Sequence, residues 1–167
     1  MSNLAVNVDE NDNIISTKSR YEFEKGDIMR MAALWVENNQ GQVLLAQRSF
    51  EKKHDPGLWG PAAAGTVEPG ETYEENIYKE AEEEIGVTDV DLPLAHKWLF
   101  WRPDDGTGRY VAMFKATIDK PAEDFVIQTE EVEKVQWFDK ETIRQMIKDD
   151  PKQFAGSATT WPKELIG

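Results

Sequence analysis

Glu80, Glu83 and Glu84 are the residues of this 167-residue chain whose types and spacing most directly point to chemistry. Positions i, i+3 and i+4 share one face of a helix, so the three carboxylates crowd together. Like charges so placed cost a helix about 0.2–0.5 kcal/mol per pair, and propensity alone does not explain the cluster. A hard divalent cation reverses the sign, because oxygen ligands are what Mg2+ takes. The bland alternative is a solvated acidic face balanced by lysines, and for an arbitrary acidic helix it has the larger prior. Here only Glu75 and Lys79 form the favourable acid-before-base pair at i,i+4. The other acids have no such partner.

The helix that must carry them is predicted over about residues 73–85. Thr72 is its N-cap, Tyr73, Ile77, Ala81 and Ile85 recur every four residues as a buried stripe, and Gly86 stops it. A short strand of small residues, 62–67, precedes it. The stretch Pro56-Gly57-Leu58-Trp59-Gly60-Pro61 is too punctuated for regular structure. Upstream, residues 4–8 and 14–17 read as a hairpin around Asp9-Glu10-Asn11-Asp12-Asn13, and Ser19 caps a short helix over 21–25. Residues 31–36 and 42–47 form a second hairpin, 94–101 and 110–118 a third, with a last strand at 132–138 and a helix at 140–148. Strands outnumber the helices interspersed among them, which predicts an α/β sandwich, a mixed sheet covered by helices. With no repeat, low-complexity tract or long linker, residues 1–167 read as a single domain, of which 1–28 are the hairpin and short helix.

The net charge of −13 disfavours a nucleic-acid duplex as partner, since phosphate binding wants a basic face. A small anionic substrate stays compatible if a divalent cation masks the acids locally. No apolar run approaches the roughly 20 residues that span a bilayer, so no membrane association is expected. The start lacks a secretory signal pattern, and the absence of cysteine removes disulfides and thiolate chemistry together. A cytoplasmic location is expected. The N-terminal hairpin offers an edge through which a homodimer could form.

Read from Gly65, the chain has five spacers, Glu71, seven spacers, then Lys79-Glu80-Ala81-Glu82-Glu83-Glu84-Ile85-Gly86-Val87. This resembles the box of the Nudix superfamily, in which Gly, five spacers, Glu and seven spacers lead into Arg-Glu-apolar-any-Glu-Glu-any-Gly-apolar. Two glycines and four glutamates match, and the box spans 65–87. The resemblance implies a Nudix-type α/β/α sandwich with an N-terminal hairpin extension. It also implies a Mg2+-dependent hydrolase, with Mn2+ as a substitute, that cleaves a diphosphate bond in a nucleoside diphosphate linked to another moiety. By the same resemblance Glu83 and Glu84 are metal ligands, and Glu80 is either a third ligand or the base that activates water. The Ala64 carbonyl is a further ligand, and Gly65, Glu71, Lys79 and Gly86 are structural. Lys79 stands where the family has arginine, which puts the orientation of Glu80 in question. An acid from a later loop often joins the site. Glu131 occupies a similar position, with Glu130 and Glu133 as rivals.

Outside the box, Arg48 and Lys52 are candidates for phosphate contact, against the alternative of a solvated basic turn. Trp98, Phe100, Trp101 and Tyr110 either stack on a base or fill a core. His54 and His96, isolated from other ligand types, read as bystanders. The segments 8–14 and 44–49 also look like the isopentenyl-diphosphate isomerase branch of the superfamily. That branch has a catalytic cysteine near 62–64, and this chain has none. A non-catalytic nucleotide-binding regulator is a further reading; such proteins tend to lose box glutamates, and all four are present.

Overall fold

The computed structural model describes residues 3–156 and 158–167. Its organising element is β3 (Ile28–Glu37), a ten-residue strand rich in apolar side chains. Along one edge β3 pairs in parallel with β8 (Gly108–Thr117), from Ile28↔Gly108 to Glu37↔Thr117. Its other edge is shared in succession by β1 (Leu4–Val8) at Ile28 and Met29, β6 (Ala63–Thr66) at 31–34, and β4 (Val43–Arg48) at Val36 and Glu37. The sheet is completed by β2 (Ile14–Ser19) on β1, β7 (Leu94–Trp101) on β8, and β5 (Trp59–Pro61) and β9 (Val132–Phe138) on β4. It is a mixed sheet of nine strands among the described residues.

Alternation along β3 divides the core. Ala32, Leu34 and Val36 face α1 (Tyr73–Ile85), whose Ile77, Ala81 and Ile85 are fully buried against them. Ala33 and Trp35 face the opposite layer, built from α2 (Lys140–Asp149), the 3-10 turns that follow, and α3 (Lys163–Ile166). Strands buried on both faces read as near-continuous apolar runs, and β3 and β4 do.

The ends of α1 are set locally. Thr72 Oγ1 accepts from Glu75 N–H while Glu75 Oε1 accepts from Thr72 N–H, a reciprocal capping box. At the other end Gly86 adopts φ 68°, and the N–H groups of Gly86 and Val87 close on the carbonyls of Glu82 and Ala81. A Cβ at Gly86 would also lie 2.9 Å from Val126, so the glycine lets the 126–131 loop pass close to the helix end.

Three expectations are corrected. Residues 31–36 and 42–47 do form neighbouring strands, yet their direct pairing is confined to two residue pairs before β4 diverges to join β5 and β9. The Gly/Pro stretch is not wholly irregular: Trp59–Pro61 is a strand, because its partner Leu45–Gln47 supplies the ladder that local sequence does not. The helix after Ser19 is a single 3-10 turn, Arg20–Glu22, with Ser19 Oγ accepting from Tyr21 N–H.

Candidate active site

β6 and α1 bring the box residues together from opposite sides. In β6, Ala64 and Thr66 share a face with Ala33 and Met31, while Gly65 turns toward α1. There the Glu80 side chain lies so close that a Cβ on Gly65 would meet its Cγ at 2.6 Å and its Oε1 at 2.8 Å. Gly65 is therefore the space Glu80 occupies. One turn on, Glu84 Oε1 accepts a hydrogen bond from the Ala64 N–H at 3.0 Å. The contact made by Ala64 to the helix is through its N–H.

Both carboxyls are uncomfortable as anions. Burial foremost, and then Glu83, push the Glu80 carboxyl up to about 7. Burial also pushes Glu84 up to about 8, against the opposing Ala64 hydrogen bond, with Glu80 and Glu131 adding to the rise. Glu83 is exposed on the same helix.

Glu131 reaches the cluster through the loop that ends α1. The Gln128 N–H bonds the Glu84 carbonyl at 3.0 Å, Glu131 N–H bonds the Gln128 carbonyl, and the Glu131 carbonyl accepts from Ser49 N–H. Its carboxylate takes Lys52 Nζ at 2.5 Å. Glu130 and Glu133 are exposed on either side. Of the three loop acids, Glu131 is the one that lines the cavity beside Glu84.

Lys79 does not hold Glu80. Its Nζ bridges Glu71 Oε2 at 2.7 Å and Glu68 Oε2 at 3.3 Å, and Glu71 also accepts from Glu68 N–H and Asn76 Nδ2. Nor does Lys79 pair with Glu75, which is committed to the capping box. The lysine thus staples the 68–71 turn to the helix. Asn76, fully buried on α1, was not legible as a core residue; its amide ties Thr66 O to Glu71. An asparagine in an otherwise apolar stripe is the only sequence signal of that role.

Arg48 is also committed. Its Nε and Nη2 donate to the carbonyls of His54 and Asp55, bracing the 49–58 loop at the cavity wall. The aromatic group splits. Trp98 and Phe100 line the cavity, Trp101 is 44% exposed, and Tyr110 packs under the N-terminal hairpin with its hydroxyl donated to Glu10 O. His54 lines the cavity mouth and His96 does not.

The cavity has a volume of about 630 Å³ and runs from Glu84, Glu131 and Ala62–Ala64 across the odd-numbered face of β3. Its walls include Met29, Met31, Val111 and Met113, and Trp161 of the C-terminal segment lines it as well. Its size suits a nucleotide-sized ligand.

The chain matches the NUDIX domain family over residues 28–157. It is a Nudix family member. A Nudix hydrolase of Yersinia pestis is 31% identical over 137 residues, 81% of this chain and 72% of the relative. An isopentenyl-diphosphate isomerase of Photorhabdus laumondii is 27% identical over 170 residues, 99% of this chain and 92% of its own. In fold, a crystal structure from Deinococcus radiodurans matches with a TM-score of 0.78 at 20% identity, covering 98% of this chain and 96% of that one. The sandwich expected from the sequence is the Nudix fold, and the chain is a Nudix hydrolase. No helix among the described residues is long and apolar enough to cross a membrane.

Among the described residues, no three His, Asp or Glu side chains stand as a closed cage for an ion. The donors on offer at the box, carboxylates and a backbone carbonyl, are hard oxygens, and they fit an ion such as Mg2+.

The close approach at Gly65 gives a first expected result. Gly65→Ala leaves the chain folded but drives the whole Glu80 side chain from its place, because the clash runs from its Cγ to its Oε1 and involves no backbone atom. Turnover falls by about a hundredfold, the cost of misplacing a reacting group by an ångström. Steady-state kinetics beside a thermal melt separate the two effects.

Proposed function

We propose that this Nudix hydrolase cleaves the diphosphate bond of a nucleoside diphosphate linked to another moiety, with Mg2+ as cofactor and Mn2+ as substitute. The observation that supports it most is the pair Glu80 and Glu84, part-buried on one helix face and pushed far above the usual carboxylate range, by burial first and then by neighbouring carboxylates, Glu83 beside Glu80 and Glu80 beside Glu84. A fold keeps such a pair at a cost, and a divalent cation removes the cost. When bound, the ion neutralises phosphate oxygens and acidifies an attacking water.

The chain's own residues divide the remaining work. Glu83, Glu84 and the Ala64 carbonyl hold the ion, and Glu131 adds a carboxylate from the docked loop. Glu80, pressed against Gly65, either joins them or takes the proton from water. Its raised pKa suits a base working near neutrality. Lys52, paired with the cavity-lining Glu131, swings to the substrate phosphates, while Arg48 shapes the loop that presents them.

The panel that tests this contains nucleoside triphosphates, nucleotide sugars, ADP-ribose and dinucleotides, each with Mg2+ or with chelator. A nucleoside monophosphate plus a phosphorylated remainder is the expected product pair. Tight nucleotide binding with no phosphate released over hours would favour the regulator reading instead. The isomerase relative makes one control necessary: conversion of isopentenyl diphosphate to its dimethylallyl isomer would overturn the hydrolase reading.

The raised acids also set the pH dependence of metal affinity. Ligands must lose their protons to bind, so apparent Mg2+ affinity rises from about pH 6 to about pH 9, with protons released on binding near neutrality. Calorimetric titration in buffers of different ionisation enthalpy measures both. A flat affinity across that range would show that the raised carboxyls are not ligands.

A further inference from the structure

Away from the acidic cluster, the same cavity ends on arginines. Arg20, Arg102 and Arg109 all line it, from the 3-10 turn after β2, the end of β7 and the start of β8. The separation follows from register. Ala64, beside Glu84, pairs with Ala33, whereas Arg109 pairs with Met29. The two positions are four residue steps apart along β3, about 13 Å.

Of the acids lining this end, Asp104 and Asp105 are already engaged, and Asp55 acts on Arg102. Asp104 takes Arg102 through two hydrogen bonds, Nε to Oδ1 at 3.1 Å and Nη2 to Oδ2 at 2.8 Å. Asp105 Oδ1 accepts from both the hydroxyl and the N–H of Thr107. Arg109 Nη1 donates to Thr107 Oγ1 at 3.0 Å and to Gly108 O at 2.9 Å, which fixes the plane of its guanidinium. Among the described residues no carboxylate lies within ion-pair distance of Arg109 or Arg20. The Nε of Arg20 is buried and has no hydrogen-bond partner among them. Burial first, and then the charge of Arg102, disfavour the Arg109 cation, against the opposing charges of Asp105 and Asp104.

A buried cation without a partner is costly, and in a chain of net charge −13 carboxylate partners are abundant. Two guanidinium groups without a carboxylate partner in one cavity, one of them held in orientation by Thr107 and the other with its Nε unpartnered, make a receptor for a planar or tetrahedral oxyanion. We propose that Arg109 and Arg20, flanked by Arg102, bind a second anionic oxygen group of the substrate, a phosphate or a carboxylate. That group lies across the apolar floor of the cavity from the bond that is cut. This deepens the reading above and rests on it for the identity of that bond. Substrates are then diphosphate compounds whose far moiety carries its own negative charge.

The test needs neither metal nor turnover. Protein stripped of metal on a chelating resin is titrated with inorganic phosphate and with malonate at constant ionic strength. Tryptophan fluorescence reports binding, since Trp98 and Trp161 line the same cavity. A saturable change is expected with at least one anion, and which anion produces it distinguishes a phosphoryl from a carboxylate source. Arg109→Met weakens it by at least about tenfold, as loss of a charge-assisted hydrogen bond does. Arg109→Lys weakens it less, and Arg20→Met gives an independent loss if the Arg109 variants prove unstable by near-ultraviolet dichroism. No saturable change in the wild-type protein would overturn the proposal. So would unchanged affinity in folded Arg109→Met, or a response to an uncharged nucleoside in place of the anions. A failure of the hydrolase reading would leave this result untouched.

Discussion

Glu84→Gln is expected to lose turnover by more than the 10–100-fold that removal of an outer-shell partner typically costs a metal site. It should do so without loss of fold. The amide keeps the shape of the side chain, and its oxygen can still accept from the Ala64 N–H that Glu84 meets at 3.0 Å. What it removes is a charge. The sign of the stability change follows from linkage. Glu84 titrates near 8 in the folded chain, above its ordinary value near 4.5, so the folded state holds the proton more tightly. Stability is fullest below the unfolded value and is lost as pH rises through the folded one. Metal-free wild-type protein therefore weakens between about pH 5 and about pH 8, and Glu84→Gln weakens less over that window. Denaturant titrations of both proteins at several pH values measure this. A variant that keeps most of its activity with metal present would remove Glu84 from the site.

The second large effect belongs to a residue far from the box. Trp161 is 8% exposed and meets Trp35 edge-on at 5.3 Å and Phe154 at 5.7 Å between ring centroids. Trp161→Ala should cost about 3–5 kcal/mol, the usual range for a buried tryptophan cut to alanine. The loss has two parts, apolar contact with the sheet and a void that the surrounding rings cannot fill. Because Trp161 also lines the cavity, substrate affinity falls with it. Thermal unfolding and KM read the two consequences separately. A fall of less than about 1 kcal/mol would mean that the C-terminal segment contributes little to the second core layer.

That segment also marks where the sequence stops being readable. Residues 151–167 have no apolar period, and their 3-10 turns and short α3 hold together only because Phe154, Ala158, Trp161 and Leu165 pack on β3 and β4. Nothing local encodes that. The ends of α1 were legible because their signals are local: Thr72 and Glu75 cap within one turn, and Gly86 supplies the left-handed residue. β5 was not, since a Gly and a Pro in three residues are tolerated there only by pairing with Leu45–Gln47.

The candidate site divides the same way. Spacing placed Glu80 and Glu84 on one face, and the fold places that face against Ala64 and Gly65. Partner choice was beyond spacing. Lys79 turns to Glu71 and Glu68 of the 68–71 turn, and Arg48 is claimed by the carbonyls of its own loop. Arg20 and Arg109, nearly ninety residues apart in sequence, share a cavity only through the sheet. No local pattern joins them.

The central claim is that carboxylates of the box direct water at a diphosphate with the help of a divalent ion. The most direct measurement is hydrolysis of the best substrate from the panel in oxygen-18 water, with the products weighed by mass spectrometry. One labelled oxygen in one of the two phosphate products is expected, with cleavage between the two phosphorus atoms and no reaction once the metal is chelated. Label in neither phosphate product, or undiminished cleavage with chelator present, would contradict the claim.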